Sequence, residues 1–355
     1  MRATHFGRER DGAPWWKFVG ELDGPMHRLF CPHATPEEAT FLVEGRRPDG
    51  ATNIGESEVP VEFFEPSALR VPWGFPGWID GALGWISAHA GEVSSWTELK
   101  SWCLSCVIRA ETERGTVFFK ATNLRPLFCN EPTVTQNLAR RFPGRVPAPI
   151  AIDGGRGWML LADFGPNLSE TDPENSTART LADFSRLQSE TLGREGEFLA
   201  LGCVDRRPAQ LAREVASMLA DEESLAALTE GERGKLLSID WQSRIGELAD
   251  APCALVHGDL HTGNVATGEG GGLLYFDWTD ASVAPPWMDL LLPFWEKEDV
   301  LPFWSASIPP WETIAPLIAL HHAVSYRHIR DAIEPCVRHE LAGSLPHFLR
   351  RAIEF

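Results

Sequence analysis

The segment that most constrains this chain is His257-Gly258-Asp259-Leu260-His261-Thr262-Gly263-Asn264, followed after a glycine-rich stretch by Leu274-Tyr275-Phe276-Asp277. Two glycines within eight residues argue for a loop, and the apolar Ala254-Leu255-Val256 before it reads as a short strand that delivers the loop. Leu273 to Phe276 reads as a second strand, with Gly268 to Gly272 as the turn between, so Asp277 is carried close to the loop. The pattern is therefore a carboxylate, an amide five residues later and a second carboxylate eighteen residues after the first.

That spacing suits phosphoryl transfer from ATP, which needs a proton acceptor beside the attacking hydroxyl and hard oxygen ligands that hold Mg²⁺ against the phosphates. Asp259 takes the first role, orienting and deprotonating the hydroxyl, and Asn264 and Asp277 take the second. His257 is read as a residue that pins the loop by hydrogen bonds, and His261 as lining its substrate side. His257 and His261 have the i, i+4 spacing of a zinc pair. The helical glutamate of such a site is missing, however, and the glycines break a helix, so zinc is set aside.

The motif His257-Gly258-Asp259-x-His261-x-x-Asn264 with a strand-borne Asp277 resembles the aminoglycoside phosphotransferase and choline kinase superfamily. The resemblance implies an α+β, bilobal protein-kinase-like fold, with a small antiparallel-sheet N-lobe and a mainly helical C-lobe. It implies Asp259 as the catalytic aspartate, Asn264 and Asp277 as metal ligands, and a loop-supporting aspartate at Asp289 in Pro286-Trp287-Met288-Asp289-Leu290. It also places an adenine-binding hinge near Leu161 to Asp163. Asp277-Trp278-Thr279 departs from the Asp-Phe-Gly of protein kinases, so an activation-loop switch is not expected.

A fold of this kind needs a lysine for the ATP phosphates, and Cys106 to Thr112, a turn at Glu113-Arg114-Gly115 and Thr116 to Lys120 read as a hairpin ending in one. Glu131 is the one acidic residue between Lys120 and Asp153. It opens a segment with Val134, Leu138 and Phe142 four apart, Pro132 in the first turn and a stop at Pro143-Gly144, which is a short amphipathic helix. A Lys120–Glu131 ion pair is expected. No glycine-rich phosphate fingerprint precedes Lys120, and Ser101-Trp102-Cys103-Leu104-Ser105 occupies that place, with the Ser101 or Ser105 hydroxyl and a plain strand connection as equal alternatives.

With 355 residues, 43% hydrophobic, the chain can bury a sizeable core, and it has no apolar run long enough for a membrane span. No apolar leader follows Met1, and seven cysteines without a paired pattern fit a reducing compartment, so a cytoplasmic location is expected. The Cys103–Cys106 spacing lacks a second pair to complete a metal site. A net charge of −18 without a basic cluster argues against nucleic acid and anionic membrane as partners, and favours a cationic small-molecule acceptor.

Residues 1–92 read as an accessory α+β module, with strand-like Phe41-Leu42-Val43 and Val61 to Phe64, and with Trp78, Trp85 and Ile86 at helical spacing in a helix that docks on the kinase-like region. Residues 93–165 form the expected N-lobe and hinge, and 166–355 the helical C-lobe. Trp278, Trp287, Phe294, Trp295, Trp304 and Trp311 follow the metal aspartate, as an acidic aromatic pocket or as ordinary core. Beside the small-molecule kinase stand two alternatives: a nucleotide-binding pseudokinase or interaction module, and a protein kinase, the latter disfavoured by the missing glycine-rich loop. The oligomeric state is open.

Overall fold

The structure, a computed structural model, describes residues 7–8, 14–15, 68–74, 78–124, 128–290, 297–302, 308–335, 338 and 341–355. The strand-like segments 41–43 and 61–64, and Phe294, Trp295 and Trp304, lie outside the described residues. By contacts the chain divides into two compact units. The first comprises 1–125, 149–163 and 332–341, and the second 126–148, 164–331 and 342–355.

The first unit is built on a five-stranded antiparallel sheet of β1 (Val93–Ser101), β2 (Ser105–Thr112), β3 (Gly115–Thr122), β4 (Ala151–Asp153) and β5 (Trp158–Ala162), in the order β1-β2-β3-β5-β4. The expected hairpin is β2–β3, where Thr112 pairs with Gly115 across Glu113-Arg114. Gly115 takes φ +102°, which a side chain would resist, and so closes this two-residue connection.

Strand alternation sends Val117, Phe119 and Ala121 to one face, and there helix α1 (Trp78–Ala90) buries Ile79, Ala82, Ile86 and Ala90 against them. Trp85 and Trp158 meet the buried Phe119 edge-on and Trp78 meets it tilted, with ring centroids 5.3–6.0 Å from it. Each such pair contributes about 0.5–1.5 kcal/mol beyond area burial. Lys120, one residue out of phase with this stripe, projects from the other face, between Val107 and Met159 in register. By contacts, α1 and the sheet belong to one unit.

The second unit is mainly helical. Helix α2 (Glu131–Arg141) starts where the Asn130 side chain accepts from the Thr133 N–H at 3.3 Å, with Pro132 in the first turn. It buries Val134 and Leu138 and ends at Phe142, before Pro143. These side chains join Leu181, Phe184 and Leu187 of α3 (Ser176–Ser189), Leu211, Val215 and Met218 of α4 (Pro208–Leu219), the apolar run of α5 (Trp311–Ala332) and Leu345, Phe348 and Leu349 of α6 (Ser344–Ala352) in one core.

Three short strands cross this unit: β6 (Val204–Asp205) runs parallel to β10 (Ser282–Ala284), which pairs antiparallel with β7 (Ala254–Val256). A separate hairpin joins β8 (Val265–Thr267) to β9 (Leu273–Tyr275). Strands β7 and β9 are the two that the sequence reading assigned to deliver Asp259 and Asp277.

Candidate active site

The loop after β7 begins with a fully buried histidine. The His257 ring lies 4.6 Å from Trp278 and 6.1 Å from Phe184, centroid to centroid. Its Nε2 is 3.0 Å from the Phe276 carbonyl oxygen, which can only accept, so Nε2 carries the hydrogen. Its Nδ1 then accepts from the Asp259 N–H at 3.4 Å. Burial pushes the imidazole down to about 4, so it is neutral at physiological pH with both nitrogens engaged. His257 pins the loop to the strand of the second aspartate.

Gly258 takes φ +84°, and a Cβ there would stand 2.5 Å from the Asp280 carbonyl oxygen, so the loop passes the Asp277–Asp280 turn at backbone distance. The N–H of Gly258 donates to Asp289 Oδ1 at 2.8 Å, and the N–H of His257 to Asp289 Oδ2 at 2.9 Å. Gln188 Nε2 adds a third donor to Oδ2 at 2.8 Å. Burial pushes the Asp289 carboxyl up to about 7, against the pull of the two backbone N–H groups. Asp289 thus braces the loop from below.

Asp259, past the glycine, keeps 42% of its side chain exposed. Asn264 Nδ2 donates to the Asp259 carbonyl at 2.9 Å and to its Oδ2 at 3.1 Å. His261 Nδ1 accepts from the Gly263 N–H at 3.1 Å, which turns its Nε2 toward Asp259 Oδ2 at 3.7 Å. Burial works to raise the Asp259 carboxyl, but the His261 imidazole outweighs it and holds the group below the ordinary carboxylate range. The result is an ionised, partly exposed carboxylate.

Asp277 stands at φ +62°, the one described non-glycine residue in the left-handed region. Its Oδ1 accepts from Thr279 Oγ1 at 2.8 Å, and the neighbouring Phe276 N–H donates to the Asn264 carbonyl at 3.1 Å. Because the Asn264 Nδ2 is committed to Asp259, the amide turns its Oδ1 away as an oxygen donor. An amide oxygen and a carboxylate on adjacent, mutually bonded segments fit a hard cation, and two protein ligands suit Mg²⁺, whose remaining positions go to water and phosphate oxygens. Among the described residues no three His, Cys, Asp or Glu side chains form a closed metal cage.

Several supporting residues escaped the sequence reading. Cys129 donates its Sγ hydrogen to the Trp278 carbonyl at 3.0 Å, and its N–H to the Thr279 carbonyl at 3.2 Å. The start of α2 is thereby stitched to the Asp277 turn. Behind it, Tyr275 Oη donates to Asp183 Oδ2 at 2.9 Å, which also accepts from Arg145 Nη2 at 2.7 Å. Gln188 and Cys129 carry no local signal, since these partners lie 101 and 149 residues away, and the Tyr275 partner of Asp183 lies 92 residues away.

Of the nucleotide candidates, Lys120 is half-buried on β3 and Leu161 is buried near the end of β5. Asp163 is exposed, with its N–H on the Thr116 carbonyl at 3.2 Å, and the chain leaves the first unit directly after it. Glu131 is fully buried in the first turn of α2, in the second unit. In the β1–β2 connection, Ser105 Oγ accepts from Trp102 Nε1 at 2.9 Å and Ser101 is fully buried. Cys103 and Cys106 are both buried, and burial, reinforced by the Glu98 carboxylate, pushes the Cys106 thiol well up, as expected for an inert packing residue.

Comparison with known proteins names the class. The sequence profile of the phosphotransferase enzyme family matches residues 113–333, which include every residue discussed from Lys120 to Asp289. The chain belongs to that family. Similar solved structures include choline kinase LicA from Streptococcus pneumoniae, at 16% identity and a TM-score of 0.54 over 78% of this chain and 97% of that one. Aminoglycoside 2′-phosphotransferase-IIIa, in a GDP complex, matches at 14% identity and 0.56, over 76% and 97%. A macrolide 2′-phosphotransferase type I matches at 16% and 0.55, over 75% and 96%. The fold is thus the α+β, protein-kinase-like fold of small-molecule kinases. No curated protein matches the sequence, and no described helix is long and apolar enough to cross a membrane.

Proposed function

We propose that the protein is an ATP- and Mg²⁺-dependent phosphotransferase that moves the γ-phosphoryl group to a hydroxyl of a small molecule. The acceptor class spans aminoglycosides, choline-like compounds and sugar or amino alcohols. The observation that carries this reading is the Asp259–Asn264 pair. One amide bonds the proton acceptor with its nitrogen and offers its oxygen to a cation, so base and metal positions are fixed relative to each other. A module that only bound nucleotide would have no use for an exposed, ionised carboxylate there.

In this scheme Asp259 accepts a hydrogen bond from the acceptor hydroxyl and takes its proton as the oxygen bonds to the γ-phosphorus and the bond to the β-phosphate oxygen breaks, leaving ADP. Mg²⁺, held by Asn264 and Asp277, would neutralise charge on the transferring phosphoryl group. Lys120, held by Glu131, contacts phosphate, and the backbone near Leu161 and Asp163 meets the adenine. His257, His261 and Asp289 hold the loop. Residues 1–92 are an accessory segment, and helix α1 docks on the N-lobe sheet.

The test is Asp259→Asn, an isosteric change that removes the proton acceptor and keeps the Asn264 contact. Phosphate transfer from ATP to an acceptor should fall by at least 10²-fold while ADP binding, measured by calorimetry, stays within twofold. Wild-type turnover in that variant would sink the assignment.

A further inference from the structure

Protein kinases cover the nucleotide phosphates with a glycine-rich loop, and this chain has Trp102-Cys103-Leu104 between β1 and β2 instead. The turn is tied to its framework. The Trp102 carbonyl accepts from Trp73 Nε1 at 2.8 Å, the Cys103 carbonyl from Asn123 Nδ2 at 3.3 Å, and the Leu104 carbonyl from the Asn123 N–H at 3.0 Å. The Trp102 N–H donates to the Ser105 carbonyl at 3.1 Å, and Trp102 Nε1 to Ser105 Oγ at 2.9 Å. A short turn held at three successive carbonyls does not fold down over a phosphate chain, so neutralising charge has to come from side chains of the sheet itself.

Strand pairing supplies it. Lys100 stands opposite Val107 and Val107 opposite Lys120, so the three form one cross-strand row on the face away from α1. With strands about 4.8 Å apart, the two lysine backbones are about 10 Å from each other. A bulge at Leu99 creates this placement. Glu98 pairs with Ile108 and is buried on the α1 side, and two residues on in a regular strand Lys100 would point the same way. The extra residue turns Lys100 to the Lys120 face, as bulges beside active sites re-aim side chains. There its Nζ lies 4.0 Å from the centroid of the Trp102 ring, a cation–π contact that keeps the ammonium beside the turn.

Arg109, on the same face, is already matched. It lines a pocket of about 260 Å³ with Ser95, Trp96, Thr97 and Glu111. Glu111 lies 2.7 Å from its Nη2 and accepts from Thr116 Oγ1 at 2.8 Å, so an anion there would meet a carboxylate.

We propose that Lys100 is a second phosphate-binding lysine, which together with Lys120 grips the polyphosphate chain of the nucleotide from the sheet face in place of a glycine-rich loop. The proposal rests on the phosphotransferase reading above. A lysine on β1, an edge strand of this sheet, could instead serve only to block pairing with another chain. The bulge and the Trp102 contact favour the ligand role, because guarding an edge requires neither.

The experiment titrates the full chain with Mg·ATP, Mg·ADP and adenosine by calorimetry at low and at high salt, comparing wild type, Lys100→Met and Lys100→Arg. Methionine keeps the length and the packing on Trp102 and removes the charge, and arginine keeps the charge. Lys100→Met should weaken Mg·ATP about tenfold or more and leave adenosine within twofold, with the loss shrinking at high salt. Lys100→Arg should recover most of the affinity. Unliganded melting temperatures of the three proteins should agree. Arginine rescue and the salt dependence decide the matter if adenosine binds too weakly to measure. Unchanged Mg·ATP affinity in Lys100→Met, with or without increased light scattering, would overturn the proposal, as would an equal loss for adenosine or no recovery in Lys100→Arg. Absence of any Mg·ATP binding to wild type would overturn the phosphotransferase reading with it.

Discussion

Replacing Asp289 with asparagine isolates the brace beneath the catalytic loop. The carboxyl is fully buried and faces three N–H donors, from His257, Gly258 and Gln188. Burial raises it from an ordinary 3.8 to about 7. The sign follows directly: between those values the native protein binds a proton that the unfolded chain has released. The group's contribution to stability is therefore greatest below pH 3.8 and is lost as pH rises to about 7. Those three decades, at about 1.4 kcal/mol each, amount to about 4 kcal/mol. Asparagine has the same shape and no titration, but its one oxygen can serve only one side, and its NH₂ then opposes the Gly258 or His257 N–H. That mismatch costs about 1–3 kcal/mol at every pH.

Urea unfolding of wild type and Asp289→Asn at half-unit steps from pH 4.5 to 7.5 separates the two effects. The difference in unfolding free energy should move in favour of the asparagine variant as pH rises, by up to about 1.4 kcal/mol per unit, and level off near pH 7. Titration of other groups cancels in the difference. A flat difference across that range would refute the reasoning, because it would mean that the three donors outweigh burial and keep Asp289 ionised throughout.

Other consequences follow from the same geometry. Gly258→Ala should lose about 2–4 kcal/mol in denaturant unfolding, since it combines a left-handed backbone with a Cβ 2.5 Å from the Asp280 carbonyl, and a loss under 0.5 kcal/mol would show that the loop is free to move. His257, depressed from 6.5 to about 4, gives the opposite pH behaviour to Asp289. Its stabilisation is complete above pH 6.5 and is lost as pH falls toward 4, by about 3 kcal/mol, and His257→Leu should erase that part of the acid sensitivity. Phe119→Ala, at the centre of the α1–sheet aromatic cluster, should cost about 3–5 kcal/mol in thermal unfolding without touching the loop.

The site was legible in the sequence where its signals are local. Glycines at 258 and 263, apolar triplets before the loop and before Asp277, and Pro132 after Glu131 each fix backbone geometry within a few residues, and β7, β9 and α2 fall where those signals put them. The helical spacing of Trp78, Trp85 and Ile86 likewise predicts α1 and its docking. What it cannot give is how intimate that docking is: Ile79, Ala82 and Ile86 complete the core of the sheet. Residues whose work is done at long range were invisible. Gln188 and Cys129 are ordinary side chains until folding brings them under Asp289 and behind Trp278.

The central claim is that Asn264 and Asp277 form a metal–nucleotide site beside Asp259. Thermal unfolding with ATP, with and without Mg²⁺, tests it without knowledge of the acceptor, because a ligand that binds only the native state raises the melting temperature by mass action. At 100 times its dissociation constant the gain is about 2.7 kcal/mol, or roughly 3–4 °C for a chain of this size. The shift should require Mg²⁺ and vanish in Asp277→Ala. A shift equally large without Mg²⁺, retained in Asp277→Ala, or absent from wild type would contradict the assignment.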